Sequence, residues 1–216
     1  MKRFDTGLYF ITDSTGYDEP EFLRRVEEAL SGGVTIMQLR EKNKTTREYI
    51  KLAEAVHEIA RRYGVPLIID DRLDVAMAVS AEGVHLGQSD MPVKTARELV
   101  GSSMIIGATT KTVEQALEAE RSGADYLGVG AIYPTTTKVK TVLTSADTLR
   151  EICRAVSIPV NAIGGLNKDN CHVLENTGIS GICAVSAIMK SSDPKAAAAE
   201  LKAVSDRLRA GREINF

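Results

Sequence analysis

The stretch "DYLGVGAIYPTTTK", residues 125–138, joins two kinds of sequence end to end. Residues 125–129 form a short apolar run of strand length, and residues 131–138 form a polar loop with one proline, three threonines and a lysine. The run shows no in/out alternation, which suits a parallel strand buried on both faces. The same unit recurs along the chain. Apolar runs at 8–11, 34–39, 66–69, 83–86, 104–106, 158–163 and 181–185 bring the number of strand candidates to eight.

Helical patterns lie between them. Phe22, Val26 and Leu30 repeat every four residues, and Tyr49, Ala53, Val56, Ala60 and Tyr63 alternate steps of four and three, each set making one apolar stripe. Gly32-Gly33, Gly64, Gly123 and Gly178 fall near helix ends. Ser192-Asp193-Pro194 opens the last helix, whose stripe is Leu201, Val204 and Leu208. The shortest expected helix, around 95–100, follows the fourth strand. Eight β/α units without a composition break or long linker predict a single-domain (β/α)8 TIM barrel over residues 1–216, in preference to an open doubly wound sheet. Residues 211–216 read as a tail beyond the last helix, frayed or held by a partner.

Composition narrows the function. The 216 residues carry a formal net charge of −2 with 26% charged side chains, so neither a basic nucleic-acid face nor an acidic tail is expected. No stretch approaches the ~18 apolar residues of a membrane span, and no apolar segment follows the first basic residues. Cys153, Cys171 and Cys183 fit neither a disulfide framework nor a paired-cysteine zinc site. A soluble protein of the reducing cytoplasm, with no nucleic-acid or membrane partner, is the expectation. A homodimer through exposed helices is a further one.

Barrels react at the C-terminal ends of their strands. The residues following the eight runs include Gln38 and Arg40-Glu41-Lys42, then Asp70-Asp71-Arg72, Gln88-Ser89-Asp90, Thr109-Thr110-Lys111, Thr135 to Lys138, Gly164-Gly165 and Ser186. Three chemistries are legible there. Gly164-Gly165 exposes backbone N–H groups and Ser186 adds a hydroxyl, a combination that suits phosphate, although both glycines also serve as turn residues. Asp71 and Asp90 could share Mg²⁺, or each could cap the helix that follows it. Arg40, Lys42 and Lys138 would face the same mouth as a polyanion clamp, with Thr135 and Thr137 as hydroxyl donors to a diphosphate. Lys44 and Lys140 read as solvated surface residues.

The motifs "QLREK" (38–42), "DDRLDVA" (70–76), "GVHLGQSD" (83–90), "GVGAIYPTTTK" (128–138), "IPVNAIGG" (158–165) and "VSAI" (185–188) keep their order over nearly the whole chain, and together they resemble thiamine-phosphate synthase. That family joins the diphosphate ester of an aminopyrimidine methanol to a thiazole phosphate, releasing pyrophosphate. The resemblance implies that Gln38 bonds the aminopyrimidine and that Arg40, Lys42 and Lys138 hold the departing pyrophosphate. It implies Mg²⁺ as cofactor, on Asp71 and Asp90. Thr109 stands where the family usually has serine near the reacting amine, and Thr135, Thr137, Gly165 and Ser186 would bind the thiazole phosphate.

One position departs from the pattern: Asp70 occupies the substrate-side position where the family commonly has asparagine. The related thiazole tautomerases carry a histidine where this chain has Lys111, and tend to lose the equivalents of Gln38, Asp71 and Asp90. Aldolases would need a lysine inside a strand, which the eight runs lack. A barrel that binds thiamine precursors without catalysis is the non-enzymatic alternative. His57, His85 and His172 read as structural, His85 least firmly because it can point into the barrel. Residues 133–143 are expected to close over bound ligands and exclude water.

Overall fold

The computed structural model of the protein describes residues 4–135 and 142–210. Its strands are β1 (Leu8–Ile11), β2 (Ile36–Leu39), β3 (Leu67–Asp70), β4 (Gly83–Leu86), β5 (Ile105–Thr110), β6 (Tyr126–Gly130), β7 (Val160–Ile163) and β8 (Gly181–Ala184). All neighbours run parallel, and β8 pairs with β1 to close a barrel in chain order. The expected (β/α)8 architecture is the one observed.

The helices are α1 (Glu19–Ser31), α2 (Thr46–Arg62), α3 (Leu73–Ala78), α4 (Val93–Val100), α5 (Val113–Arg121), α6 (Ala146–Ala155), α7 (Ser186–Met189) and α8 (Pro194–Ala210). Their starts are written in the sequence. The Asp18 carboxylate accepts from Glu21 N at 2.9 Å, Thr45 and Glu48 form a reciprocal capping box, and Asp193 accepts from Ala196 N at 2.8 Å. No helix among the described residues is long and apolar enough to cross a membrane.

Strand geometry sends successive side chains to opposite faces, so each strand feeds two cores. Leu8, Phe10, Met37, Leu39, Leu67, Ile69, Leu127 and Val129 point outward and pack with the stripes Phe22–Val26–Leu30 and Tyr49–Val56. Full burial of each such Leu, Ile or Phe contributes about 1.5–3 kcal/mol. Tyr9, Ile11, Ile36, Ile68, Ile105, Tyr126 and Cys183 fill the barrel instead.

The structure corrects several local expectations. Thr109 and Thr110 lie inside β5 rather than after it, and Asp70 is the last residue of β3. The helix that Gly178 was expected to end, after β7, is one 3-10 turn, Cys171–Leu174, which holds His172. Ser186 belongs to α7 rather than to a loop. Neither Asp71 nor Asp90 caps a helix: α3 and α4 follow Arg72 and Pro92, and neither start has a side-chain cap.

Candidate functional site

A cavity of about 350 Å³ opens at the C-terminal mouth of the barrel. Its lining includes Gln38, Arg40, Lys42, Asp70, Asp71, Asp90, Thr109, Thr135, Gly165 and Ser186. Ten of the twelve residues expected at a site thus share one cavity, contributed by segments from β2 to α7. The other two, Thr137 and Lys138, lie outside the described residues, as does most of the expected covering segment 133–143.

The acidic side is organised around Lys42. Its ammonium is 2.7 Å from Asp70 Oδ2 and also donates to Asp71 Oδ2, while the Arg40 guanidinium stands 3.8 Å from Asp70. Burial acts against the charge on Lys42, yet the two carboxylates outweigh it and its pKa lies above the usual lysine value. Burial also opposes ionisation of Asp71. The Lys42 ammonium and a hydrogen bond with Asp90 more than offset this, so Asp71 ionises below the usual carboxylate range. Burial and then the hydrogen bond with Asp71 push Asp90 the other way, against the Gly87 N–H that donates to its Oδ2 at 2.7 Å. Asp71 has φ +60°, a conformation rare for residues other than glycine and asparagine; the strained backbone directs a carboxylate into the cavity beside a second one. Two facing carboxylates at the mouth form an oxygen donor set of the kind a hard divalent cation takes, completed by ligand oxygens and water. No cluster of three or more metal-ligating side chains occurs among the described residues.

Asp70 is more deeply buried, with 7% of its surface exposed. Burial, followed by the Asp71 charge, raises its carboxyl above the usual range despite Lys42 and Arg40. A carboxyl raised on folding makes the folded state lose stability as the pH climbs from the unfolded pKa through the folded one. In the ligand-free protein Asp70→Asn is therefore expected to raise Tm by roughly 2 °C at pH 7, with the gain vanishing below about pH 4 where the acid is already neutral. Thermal unfolding at the two pH values measures this, and a lower Tm at pH 7 would show that the pair with Lys42 is net stabilising.

The opposite wall is built on backbone. Gly164 and Gly165 have φ +107° and +64°, and a Cβ on Gly165 would sit 2.7 Å from Tyr133 Cβ and 2.8 Å from Pro134 O. Both glycines are required for the 131–134 segment to lie against the end of β7, where Tyr133 N bonds Gly164 O at 3.0 Å. The Gly pair therefore serves the chain's own packing, and it also leaves bare backbone at the cavity edge beside Thr135 and Ser186.

Sequence reasoning passed over Tyr9 and Cys183 on the floor, and read His85 as structural while allowing that it points into the barrel. Tyr9, His85 and Cys183 line the cavity from below, and Lys111 lines its side while donating to Val142 O at 3.2 Å. His85 is neither a surface nor a purely apolar residue: it bonds Tyr126 through Nδ1 at 3.0 Å and Thr109 Oγ1 through Nε2 at 2.9 Å. His57, by contrast, is buried on α2 between Val79 O and Glu82, away from the cavity, and His172 is exposed. The signal that could have found Tyr9 and His85 is the period of two that also brings Gln38 and Asp70 inward.

The sequence profile of the thiamine monophosphate synthase family matches residues 8–188. The chain is 52% identical over 196 residues to thiamine-phosphate synthase 2 of Streptococcus pneumoniae serotype 4, covering 91% of this chain and 93% of the relative. It is 47% identical over 201 residues to thiamine-phosphate synthase of Methanobrevibacter smithii, covering 93% and 96%. Its structure resembles that of thiamine phosphate pyrophosphorylase from Pyrococcus furiosus with a TM-score of 0.85 at 42% identity, over 94% of this chain and 96% of the other. With the match running through every strand that lines the cavity, the chain belongs to the thiamine monophosphate synthase family of transferases.

Proposed function

We propose that the chain is a thiamine-phosphate synthase, coupling 4-amino-2-methyl-5-pyrimidinylmethyl diphosphate with 4-methyl-5-(2-phosphooxyethyl)thiazole to give thiamine phosphate and pyrophosphate. The observation that carries the reading is one cavity with an amide on its floor, a cation–carboxylate cluster on one side and a glycine, threonine and serine edge on the other. An aminopyrimidine, a diphosphate and a phosphomonoester each find complementary chemistry there.

The C–O bond to the diphosphate breaks and a C–N bond to the thiazole nitrogen forms. The aminopyrimidine disperses the positive charge left on its methylene carbon. Such a reaction needs the leaving charge neutralised and the nucleophile aligned more than it needs a strong base. Arg40, Lys42 and Lys138 hold the departing diphosphate, and Gln38 fixes the pyrimidine through its amine. Thr109 stands near the reacting groups, while Thr135, Thr137, Gly165 and Ser186 hold the thiazole phosphate. Asp71 and Asp90 would hold Mg²⁺, which supplies charge neutralisation on diphosphate oxygens. A lysine at 111, where tautomerases carry a histidine, fits substitution better than proton shuttling.

The test is pyrophosphate release by the purified protein given both substrates, with and without Mg²⁺. The expected result is Mg²⁺-dependent release of one pyrophosphate per thiamine phosphate formed. Binding of either substrate without release would sink the synthase reading, and exchange of thiazole protons without pyrophosphate would replace it with a tautomerase.

A further inference from the structure

Five side chains from five strands form one unbroken hydrogen-bond path through the barrel. Gln38 Nε2 on β2 donates to the Tyr9 hydroxyl on β1 at 2.8 Å, and Tyr9 bonds the Tyr126 hydroxyl on β6 at 2.7 Å. Tyr126 bonds His85 Nδ1 on β4 at 3.0 Å, and His85 Nε2 bonds Thr109 Oγ1 on β5 at 2.9 Å. Tyr9 and Tyr126 are 1% and 0% exposed, so water does not interrupt the middle of the path. Two glycines make room for it. A Cβ on Gly107 would fall 2.1 Å from Tyr126 Cζ and 2.6 Å from His85 Nδ1, and one on Gly128 would fall 3.3 Å from His85 Cε1.

Proton counting gives this path a direction. A phenol has one proton, and a neutral imidazole has one N–H and one acceptor nitrogen. With the Gln38 amide donating, His85 neutral and every hydroxyl proton of the path engaged, Tyr9 donates to Tyr126, Tyr126 donates to His85 Nδ1, and His85 carries its proton on Nε2 and donates to Thr109. Thr109 then has its own proton left to give to a group in the cavity it lines. At the other end the Gln38 carbonyl oxygen is left to accept. Running every bond backwards requires the Gln38 amide to turn over, which would make Gln38 the donor and Thr109 the acceptor toward the cavity.

We propose that Tyr9, Tyr126 and His85 are positioning residues whose directional hydrogen-bond chain ties the orientation of the Gln38 amide to the polarity of the Thr109 hydroxyl. The floor thereby presents the Gln38 amide oxygen as an acceptor and the Thr109 hydroxyl as a donor together, and turning the amide over reverses both. A ligand must offer the matching pair, a donor such as an aromatic amine at one end and an acceptor oxygen or nitrogen at the other. The ligand's identity rests on the synthase reading; the coupling itself does not.

The experiment uses the ligand-free full chain. Nitrogen-15 spectra of the imidazoles, assigned with His57→Gln and His172→Gln, report the His85 tautomer. The expected result is a single Nε2–H tautomer in the wild type and a mixture of tautomers in both Gln38→Met and Tyr126→Phe, neither of which alters the histidine itself. An Nδ1–H tautomer in the wild type overturns the direction, and an unchanged spectrum in folded Gln38→Met overturns the coupling. Under the synthase reading, Tyr126→Phe, which removes an oxygen that does not line the cavity, lowers kcat about tenfold while KM for the thiazole phosphate stays constant. A wild-type kcat with a changed tautomer would show that the chain orders the floor but does not serve the reaction, and would restrict the proposal to the resting site.

Discussion

Lys42→Ala is expected to lower kcat/KM by about a thousandfold, far beyond its effect on folding. The side chain bridges Asp70 and Asp71, and without it two adjacent carboxylates face the cavity with only the Arg40 guanidinium, 3.8 Å from Asp70, to oppose them. Under the proposed function, a diphosphate entering such a site would meet repulsion in place of an ammonium, and its leaving charge would lose a positive partner. Lys51→Ala serves as the control, because that lysine is 75% exposed on α2, outside the cavity, and pairs with Glu19 at 3.7 Å. Steady-state kinetics with the two proposed substrates and excess Mg²⁺ check the expectation; a loss below tenfold would remove Lys42 from the group proposed to meet the diphosphate.

The same variant has a pH signature in the ligand-free state. Asp71 ionises below the usual range on folding, so its pairing contributes stability above pH ~4 that is lost as the pH falls through the folded pKa. The stability gap between wild type and Lys42→Ala should therefore narrow in acid, where a neutral Asp71 gives the ammonium nothing to neutralise. Denaturant midpoints at pH 7 and pH 3 measure it.

Gly181→Ala is expected to destabilise the protein by about 4 kcal/mol, lowering Tm by roughly 10 °C. A Cβ at this position in β8 would stand 1.9 Å from Thr6 O, 2.6 Å from Gly7 O and 2.7 Å from Asn161 Nδ2. Two of those atoms are backbone, so no rotamer change relieves the clash. Moving the entrance to β1 aside would stretch the bond from Asn161 Nδ2 to Thr6 O at 2.6 Å and those to Gly7 O from Ile182 N and Ser205 Oγ. Gly64→Ala separates this clash from ordinary conformational strain. Gly64 has φ +64° but nothing within 4 Å of a Cβ, and its replacement should cost only about 1 kcal/mol. Equal losses in the two variants would show that crowding at the barrel seam is relieved by backbone movement.

The barrel was legible because parallel strands buried on both faces leave an unmistakable series of short apolar runs, and because Ser192-Asp193-Pro194 and the glycines near helix ends punctuate the helices; the caps at Asp18 and Thr45 were not read. The rim was legible because barrels place their chemistry after the strands, which brought Arg40, Lys42, Asp71 and Asp90 forward at once. The end of β5 was obscured because Thr109 and Thr110 look like loop residues, whereas their β-branched side chains suit a strand whose inner face has reached the cavity. The turn after β7 was misjudged for a local reason. Asn167 and Asn170 bond nearby main-chain N–H groups, Asn167 to Asp169 N and Asn170 to Asn167 N, and this local bonding competes with a longer helix. The path from Gln38 to Thr109 could not be read in order at all, since its members lie on five strands and meet only when the barrel closes.

Closure also governs how the chain can be made. β1 is synthesised before β8 with most of the barrel between them, yet each is the other's neighbour, and Ser205 on α8 reaches back 198 residues to bond Gly7 O. Until β8 emerges, β1 and β7 each keep an open strand edge and the inner core has a missing wall. Loop-closure entropy makes such a long-range pairing slow, so the unfinished chain spends its synthesis exposed to edge-to-edge association. A ribosome stalled before residue 181 would release an aggregation-prone fragment rather than a smaller barrel.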